Sequence, residues 1–311
     1  MIVVSGEALI DMTPSGCGRE RGYIPRLGGS PYNVAVALGR LEVPVAFLGR
    51  LSRDFFGQRL RAHLVSNGVN VCYLRDGHEP STLAFVSLNE GMDAEYAFWT
   101  ENSADRNVLP PDLPPALDDS AVALHFGSLS LVLEPIATTL ELLMDRERGK
   151  RVIVIDPNVR PRLIPDIEAY RARLENWVRR ADVVKASRAD MTWLYPDDPV
   201  ERSANRWLKM GPSLVVVTLG SEGSIGFMRG ESVQVPGSPV SVVDTVGAGD
   251  AFSAAMLAWL HSEGSLHRDL LRCLSSDKLA RLLKFANRAS AMACARAGAE
   301  APYRYELPEA R

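Results

Sequence analysis

The chain has 311 residues and a mass of 34.0 kDa, enough for one large α/β domain to bury its own core without a disulfide or a structural metal. Lys and Arg number 35 against 38 Asp and Glu, a net charge of −3, which argues against a dedicated nucleic-acid binder or a polybasic membrane protein. With 46% hydrophobic and 23% charged residues the chain is not disordered, and nowhere does it show the run of about 18 apolar residues that a membrane span needs.

Residues 2–4 open as a short buried strand. Glu7 and Asp11 follow closely and no basic segment precedes them, so residues 1–12 read as a strand and not a secretion signal. Residues 13–27, rich in Gly, Pro and Arg, break the pattern. A helix is then expected at 33–41, a strand at 45–48 and a helix at 56–67. Residues 82–100 alternate apolar and polar positions around Asn89-Glu90-Gly91, a hairpin signal. Together with 13–27 they are expected to form a small β-sheet lid, inserted at about 13–27 and 82–105. Further strands at 121–126, 152–155, 183–184 and 214–219 alternate with helices at 135–148, 167–180, 251–261 and about 279–297, the last capped by Gly298. This alternation predicts one α/β domain over 1–311 with a mostly parallel central sheet. The basic residues between 160 and 188 have acids interspersed and read as a solvated helix face. Cys17, Cys72, Cys273 and Cys294 form no CxxC pair, so free thiols in a reducing cytoplasm are expected. None of the five histidines falls at metal-ligand spacing.

Chemistry concentrates in Asp244-Thr245-Val246-Gly247-Ala248-Gly249-Asp250-Ala251-Phe252. A β-rich run at 240–243 feeds a glycine turn, and a helix begins directly after it. Gly247 and Gly249 let the backbone approach a ligand closely. The amides of Gly247, Ala248 and Gly249, at the positive end of the helix dipole, are placed to receive phosphate or a developing oxyanion. Asp250, in the first helical turn, can accept a proton from an attacking hydroxyl. The plain alternative is an ordinary strand–helix turn with Asp250 as a cap, but the whole run is far more specific than a bare GxG. No GxxxxGK[ST] loop exists elsewhere, so phosphate handling rests on this turn.

This run resembles the C-terminal signature of the ribokinase-like (PfkB) carbohydrate kinases, whose final Asp is the catalytic base, and the resemblance covers nearly the whole chain. Gly28-Gly29-Ser30-Pro31-Tyr32-Asn33-Val34-Ala35, continuing to Leu48-Gly49-Arg50, Asp54 and Phe56-Gly57, is similar to their N-terminal signature. Gly6-Glu7-Ala8-Leu9-Ile10-Asp11 is similar to their first strand. The resemblance implies a three-layer α/β/α fold with a lid, ATP as phosphoryl donor, Mg2+, and sugar contacts from Asp11, Gly28, Gly29 and Asn33. Short, fixed donors and acceptors of this kind suit a sugar in any case, although Asp11 could be a loop carboxylate and Asn33 a helix cap.

Thr218-Leu219-Gly220-Ser221-Glu222-Gly223 follows an apolar strand, where α/β sheets receive nucleotides. It resembles the family's adenine-nucleotide loop, implying Thr218, Gly220, Ser221 and Gly223 as nucleotide contacts, with Asn287 flanking the base; a simple hairpin turn is the bland alternative. Arg160, after Asp156-Pro157-Asn158-Val159, could clamp a phosphate or a sugar carboxylate. Arg106 closes the stretch Glu101-Asn102-Ser103-Ala104-Asp105-Arg106 as a further substrate contact. Where many relatives carry Asn-x-x-Glu, this chain reads Lys185-Ala186-Ser187-Arg188-Ala189-Asp190. Lys185 and Ser187 are expected at the phosphates, and Asp190 at a magnesium-bound water. A monovalent cation, K+, beside Asp244 and the Gly298 loop is left open, as is a homodimer through the lid.

The opening segment, residues 101–106 and Lys185-Ala186-Ser187 look most like fructokinases. A 2-keto-3-deoxygluconate kinase is the alternative, followed by a ribokinase or a nucleoside kinase. A non-catalytic sugar-binding protein on the same fold would have no need of a base at Asp250. An NAD-dependent dehydrogenase would need a GxGxxG turn after the first strand, and residues 2–11 have none.

Overall fold

In the strand Ile2–Ser5 (β1) every residue is buried. Successive side chains point to opposite faces, and both faces are covered: Ile2 and Val4 enter one core, Val3 the other. A sheet buried on both sides is the hallmark of helices packed on its two faces. The computed structural model describes residues 1–16, 22–88 and 94–307.

The chain runs from β1 into β2 (Leu9–Ser15) and β3 (Gly22–Gly28), then α1 (Ser30–Arg40), β4 (Val45–Ser52), α2 (Phe55–Ser66) and β5 (Leu74–Gly77). Next come β6 (Leu83–Leu88), β7 (Ala94–Trp99), β8 (Ala123–Gly127), α3 (Ile136–Glu147), β9 (Val152–Asp156) and α4 (Ile167–Val178). The C-terminal half holds β10 (Val183–Ser187), α5 (Arg188–Leu194), α6 (Val200–Met210), β11 (Leu214–Thr218), β12 (Ser224–Met228) and β13 (Glu231–Val235). It closes with α7 (Ala248–Ser262), α8 (Arg268–Arg272) and α9 (Ser276–Cys294).

Nine strands form the main sheet in the order β13-β12-β11-β10-β9-β8-β1-β4-β5. All neighbours are parallel except the β11-β12-β13 hairpins at one edge. One face is covered by α1, α2, α7 and α9, the other by α3, α4 and α6, giving three layers. A second sheet, β3-β2-β6-β7, stands apart, in the place where the sequence predicts the inserted strands. It starts at Leu9, earlier than the expected 13, because Leu9 already pairs with Gly28. The Asn89-Glu90-Gly91 turn lies outside the described residues, as does Cys17.

Four expected boundaries are corrected. Residues 240–243 form no strand: Val242 and Val243 are exposed, and the Val243 amide donates to the Cys294 carbonyl (2.8 Å), not to a neighbouring strand. That same contact takes up the end of α9, which stops at Cys294 with Ala295 as its cap. Gly298 is therefore no cap; it lies beyond in a loop, with φ of 78°. The helices α1 and α7 both begin three residues before their expected starts. Pro31 suits a first turn, and Gly247 (φ 76°) turns the chain into α7. No helix among the described residues is long and apolar enough to cross a membrane.

Asp54 joins body and inserted sheet: Oδ1 accepts from the Gly57 amide at the start of α2 (2.7 Å) and the Ser81 hydroxyl (2.8 Å), and Oδ2 from the Ser81 amide (2.8 Å). Asp54→Ala removes three hydrogen bonds, one of them the α2 cap, and is expected to lower the unfolding free energy by about 1–2 kcal/mol. An unchanged urea midpoint would contradict that role.

Candidate active site

The turn before α7 is held from two sides. Asp244 accepts from the Val246 amide through Oδ1 (3.0 Å) and from the Gly298 amide through Oδ2 (2.8 Å), so it ties the turn to the Gly298 loop. A Cβ on Gly247 would come within 2.6 Å of the Ala299 Cβ, so the position requires glycine for space as well as for its positive φ. Asp250 follows in the first turn of α7 and is buried. Its Oδ1 accepts from the Ser30 hydroxyl (2.6 Å) and its Oδ2 from the Asn33 side-chain amide (2.8 Å). Burial pushes the Asp250 pKa up, tempered by those two hydrogen bonds, which favours a group that can take a proton.

Facing it, in β2, stands Asp11. Burial pushes its carboxyl up to about 6, with Arg160 acting against the shift and Asp250 adding to it; the three charges share one site. Gly28, across the ladder, leaves the room Asp11 occupies, since a Cβ there would lie 2.2 Å from Asp11 Oδ2. Gly29 (φ 106°) packs on the Glu7 carbonyl and starts α1. Arg160 is half-buried and folds back on its own loop, donating through Nη1 to the Asn158 carbonyl (2.9 Å) and side chain (2.6 Å). Arg106 donates to the Glu134 carbonyl (2.7 Å), a contact of the body before α3. Asp105, beside it in sequence, is buried and accepts from the Thr82 hydroxyl.

Beneath the glycine turn, the buried Lys185 donates to Asp156 Oδ2 (2.7 Å), which also accepts from the Ser253 hydroxyl (3.1 Å). A Cβ on Gly249 would lie 3.2 Å from the Lys185 ammonium, so a positive charge sits directly against the glycine turn. Burial opposes that charge, but Asp156, with Asp190 and Asp250, outweighs it and raises the lysine pKa. Ser187 caps α5: its hydroxyl accepts from the Asp190 amide (3.0 Å) and donates to Asp190 Oδ2 (2.6 Å). Asp190 Oδ1 accepts from the Val159 amide (2.8 Å) and Oδ2 from the Ser187 amide (2.7 Å). Both oxygens thus hold backbone, while Asp190 still lines the cleft in which the sequence expects a magnesium-bound water.

Lys185, Ser187, Asp190, Thr218, Gly220 and Gly249 line one cleft of about 950 Å³ at the C-terminal ends of β10 and β11, where open α/β sheets bind ligands. Gly220–Glu222 is a 3-10 turn inside the loop that joins the antiparallel β11 and β12, so the hairpin turn of the alternative reading is present, and Gly220 lines the cleft from it. Gly223 (φ 100°) lies tight against the Val235 carbonyl, Ser221 is exposed, and Asn287 donates to the Val235 and Pro236 carbonyls (both 3.2 Å). These three shape the loop behind the cleft and are not in its lining. Sequence reasoning assigned no role to Ser30, Asp156, Ser253 or the cleft residues Trp193 and Pro196. Asp156 ends a strand inside a motif already noticed, a usable signal; Trp193 carries none. Among the described residues no group of three His, Cys, Asp or Glu side chains is placed to hold a metal.

Residues 1–304 match the pfkB family carbohydrate kinase model. The chain belongs to that family. A fructokinase of Rhizobium leguminosarum bv. trifolii is 41% identical over 280 residues, 90% of this chain and 85% of that protein. Among solved structures, a fructokinase of Xylella fastidiosa with bound ATP superposes with a TM-score of 0.88 at 28% identity, covering 99% of this chain and 94% of that one. A Vibrio cholerae O395 fructokinase, in fructose, ADP and calcium ion bound form, gives 0.85 at 28% identity, over 99% and 98%. The protein is an ATP-dependent sugar kinase with a ribokinase-like fold.

For this pfkB-family kinase, Gly28→Ala is expected to displace the Asp11 carboxylate. The sugar KM should rise about tenfold or more, the value of one or two charged hydrogen bonds, with the ATP KM unchanged. Equal losses for both substrates would mean that the mutation unfolds the inserted sheet instead.

Proposed function

We propose that this kinase phosphorylates fructose on a primary hydroxyl, with the inserted sheet closing as a lid over the sugar. Asp11, Gly28 and Gly29 bind sugar hydroxyls, and Asn33, which holds Asp250, borders the same pocket. Asp250 takes the proton from the attacking hydroxyl. The amides of Gly247, Ala248 and Gly249, backed by the Lys185 ammonium, stabilise charge on the phosphoryl group in transit. The nucleotide occupies the cleft beside β10 and β11, against Ser187, Thr218 and Gly220, with Ser221, Gly223 and Asn287 shaping its far wall. Lid closure keeps out the water that would otherwise hydrolyse ATP.

The residues present leave a divalent ion few protein ligands, which suits Mg2+ carried in mainly by the nucleotide's phosphates and water. When bound, it would neutralise phosphate charge. A K+ site beside Asp244 fits a carboxylate that joins the anion turn to the Gly298 loop. The reading also places the protein in the cytoplasm, on the free thiols of Cys72, Cys273 and Cys294. Two copies would pair through the lid, whose Tyr23, Ile24 and Trp99 are exposed.

The observation that carries the choice of sugar is the charge around it. The cations near Asp11 and Asp250 are Arg160, whose Nη1 is committed to its own loop, and Lys185, which is already paired with Asp156, and Arg106 is tied to Glu134. This leaves an acidic excess that repels an anionic sugar. The ratio of kcat/KM for fructose over 2-keto-3-deoxygluconate is therefore expected to be at least about tenfold, or about 1.4 kcal/mol, in side-by-side ATP-consumption assays. A reversed ratio would overturn fructose and leave sugar kinase activity standing.

A further inference from the structure

Four segments carry the chain between the main sheet and the inserted one: residues 6–8, 28–29, 78–82 and 100–105. In the first of them Glu7 is buried, 3% exposed, although nothing in sugar or nucleotide binding uses it. Its carboxylate Oε2 accepts from both the amide (3.1 Å) and the hydroxyl of Ser130, while its own backbone N–H donates to the Ser130 hydroxyl (2.6 Å). Ser130 belongs to the turn Ser128–Leu131 that follows β8 in the main sheet. Side chain and backbone thus clasp one residue of the body.

The neighbours of this clasp lead to the chemistry. A Cβ on Gly6 would fall 2.4 Å from Pro31 and 2.7 Å from the Ser130 hydroxyl oxygen, and one on Gly29 would fall 2.9 Å from the Glu7 carbonyl. The first and second crossings are therefore packed together. Pro31 adjoins Ser30, which holds Asp250.

We propose that Glu7 is a positioning residue whose grip on Ser130 sets how the inserted sheet seats over the sugar. Its second oxygen, Oε1, has no hydrogen-bond partner among the described residues, so an ion there would be buried without solvation. Burial pushes the Glu7 carboxyl up to about 7, against the Ser130 hydrogen bond, and the buried Asp105, the other titratable group acting on it, raises it further. Asp105 belongs to the fourth crossing and bonds Thr82 of the third. The folded hinge keeps the Glu7 proton until about pH 7, whereas an unfolded chain releases it in the ordinary carboxylate range. Raising the pH through that window therefore destabilises the folded hinge, because the buried ion loses more solvation than the Ser130 hydrogen bonds return.

The inference rests on the sugar-kinase reading, and the test separates the two. Initial rates are measured from about pH 6 to about pH 9 on the sugar that the wild type uses best, for wild type, Glu7→Gln and Glu7→Ala. Wild-type kcat/KM for the sugar should fall above about pH 7 through a rising KM, with kcat and the ATP KM steady. Glu7→Gln, a neutral isostere, should keep the low-pH value within about threefold and lose the alkaline fall, while Glu7→Ala should raise the sugar KM about tenfold or more at every pH. If wild type turns over no sugar, the kinase reading fails. If it is active and Glu7→Gln shows the same alkaline fall, or matches Glu7→Ala, the role assigned to Glu7 is wrong.

Discussion

A buried carboxylate costs several kcal/mol unless its oxygens are hydrogen-bonded, and Asp250 meets that condition by joining two helices that are far apart in sequence. Ser30 and Asn33 come from the first turn of α1, Asp250 from the first turn of α7. Both turns are entered through a glycine with positive φ, Gly29 and Gly247. The two helix starts therefore have to meet at one point above the sheet. Much else in the proposed function follows from this junction, because it assigns the sugar to the α1 side and the phosphate to the α7 turn.

The second layer is electrostatic. Lys185 lies under the Gly249 amide and is compensated by Asp156, which Ser253 also holds. The glycine turn thus has a fixed, buried cation behind it, and the proposed anion site does not depend on a mobile surface lysine. Preorganised charge of this kind needs no rearrangement when the phosphoryl group moves. On the other side of the same cleft, Ser187 and Asp190 spend their hydrogen bonds on keeping α5 and Val159 in place. Their contribution is to the shape of the wall.

The parts most legible in the sequence are those where a residue type is demanded by backbone geometry. Gly28, Gly29, Gly247 and Gly249, with Asp11 and Asp250 at fixed spacings, mark the two turns by residue type alone. The alternation of short apolar runs with amphipathic stretches likewise marks the parallel sheet. Less legible are features set by long-range contact. The end of α9 depends on a loop more than fifty positions earlier in the chain, and propensity alone runs that helix on to Gly298. The hairpin β12-β13 and the short helix α5 have weak local patterns and are fixed by packing, the hairpin on β11 and α5 on β10 and α6, whereas α6 is clearly amphipathic in sequence. Arg160 and Asn287 have the chemistry expected of them, yet their hydrogen bonds go to neighbouring backbone. Sequence names the residue, not its partner.

The central claim is that Asp250 is the base, and the most direct measurement is the turnover of Asp250→Asn alongside calorimetric binding of sugar and ATP. The amide is nearly isosteric but cannot take a proton. The account predicts that both ligands still bind while kcat falls by about three orders of magnitude, within the range general-base catalysis contributes. A variant that retained more than about a tenth of wild-type turnover, under conditions where chemistry limits the rate, would contradict it.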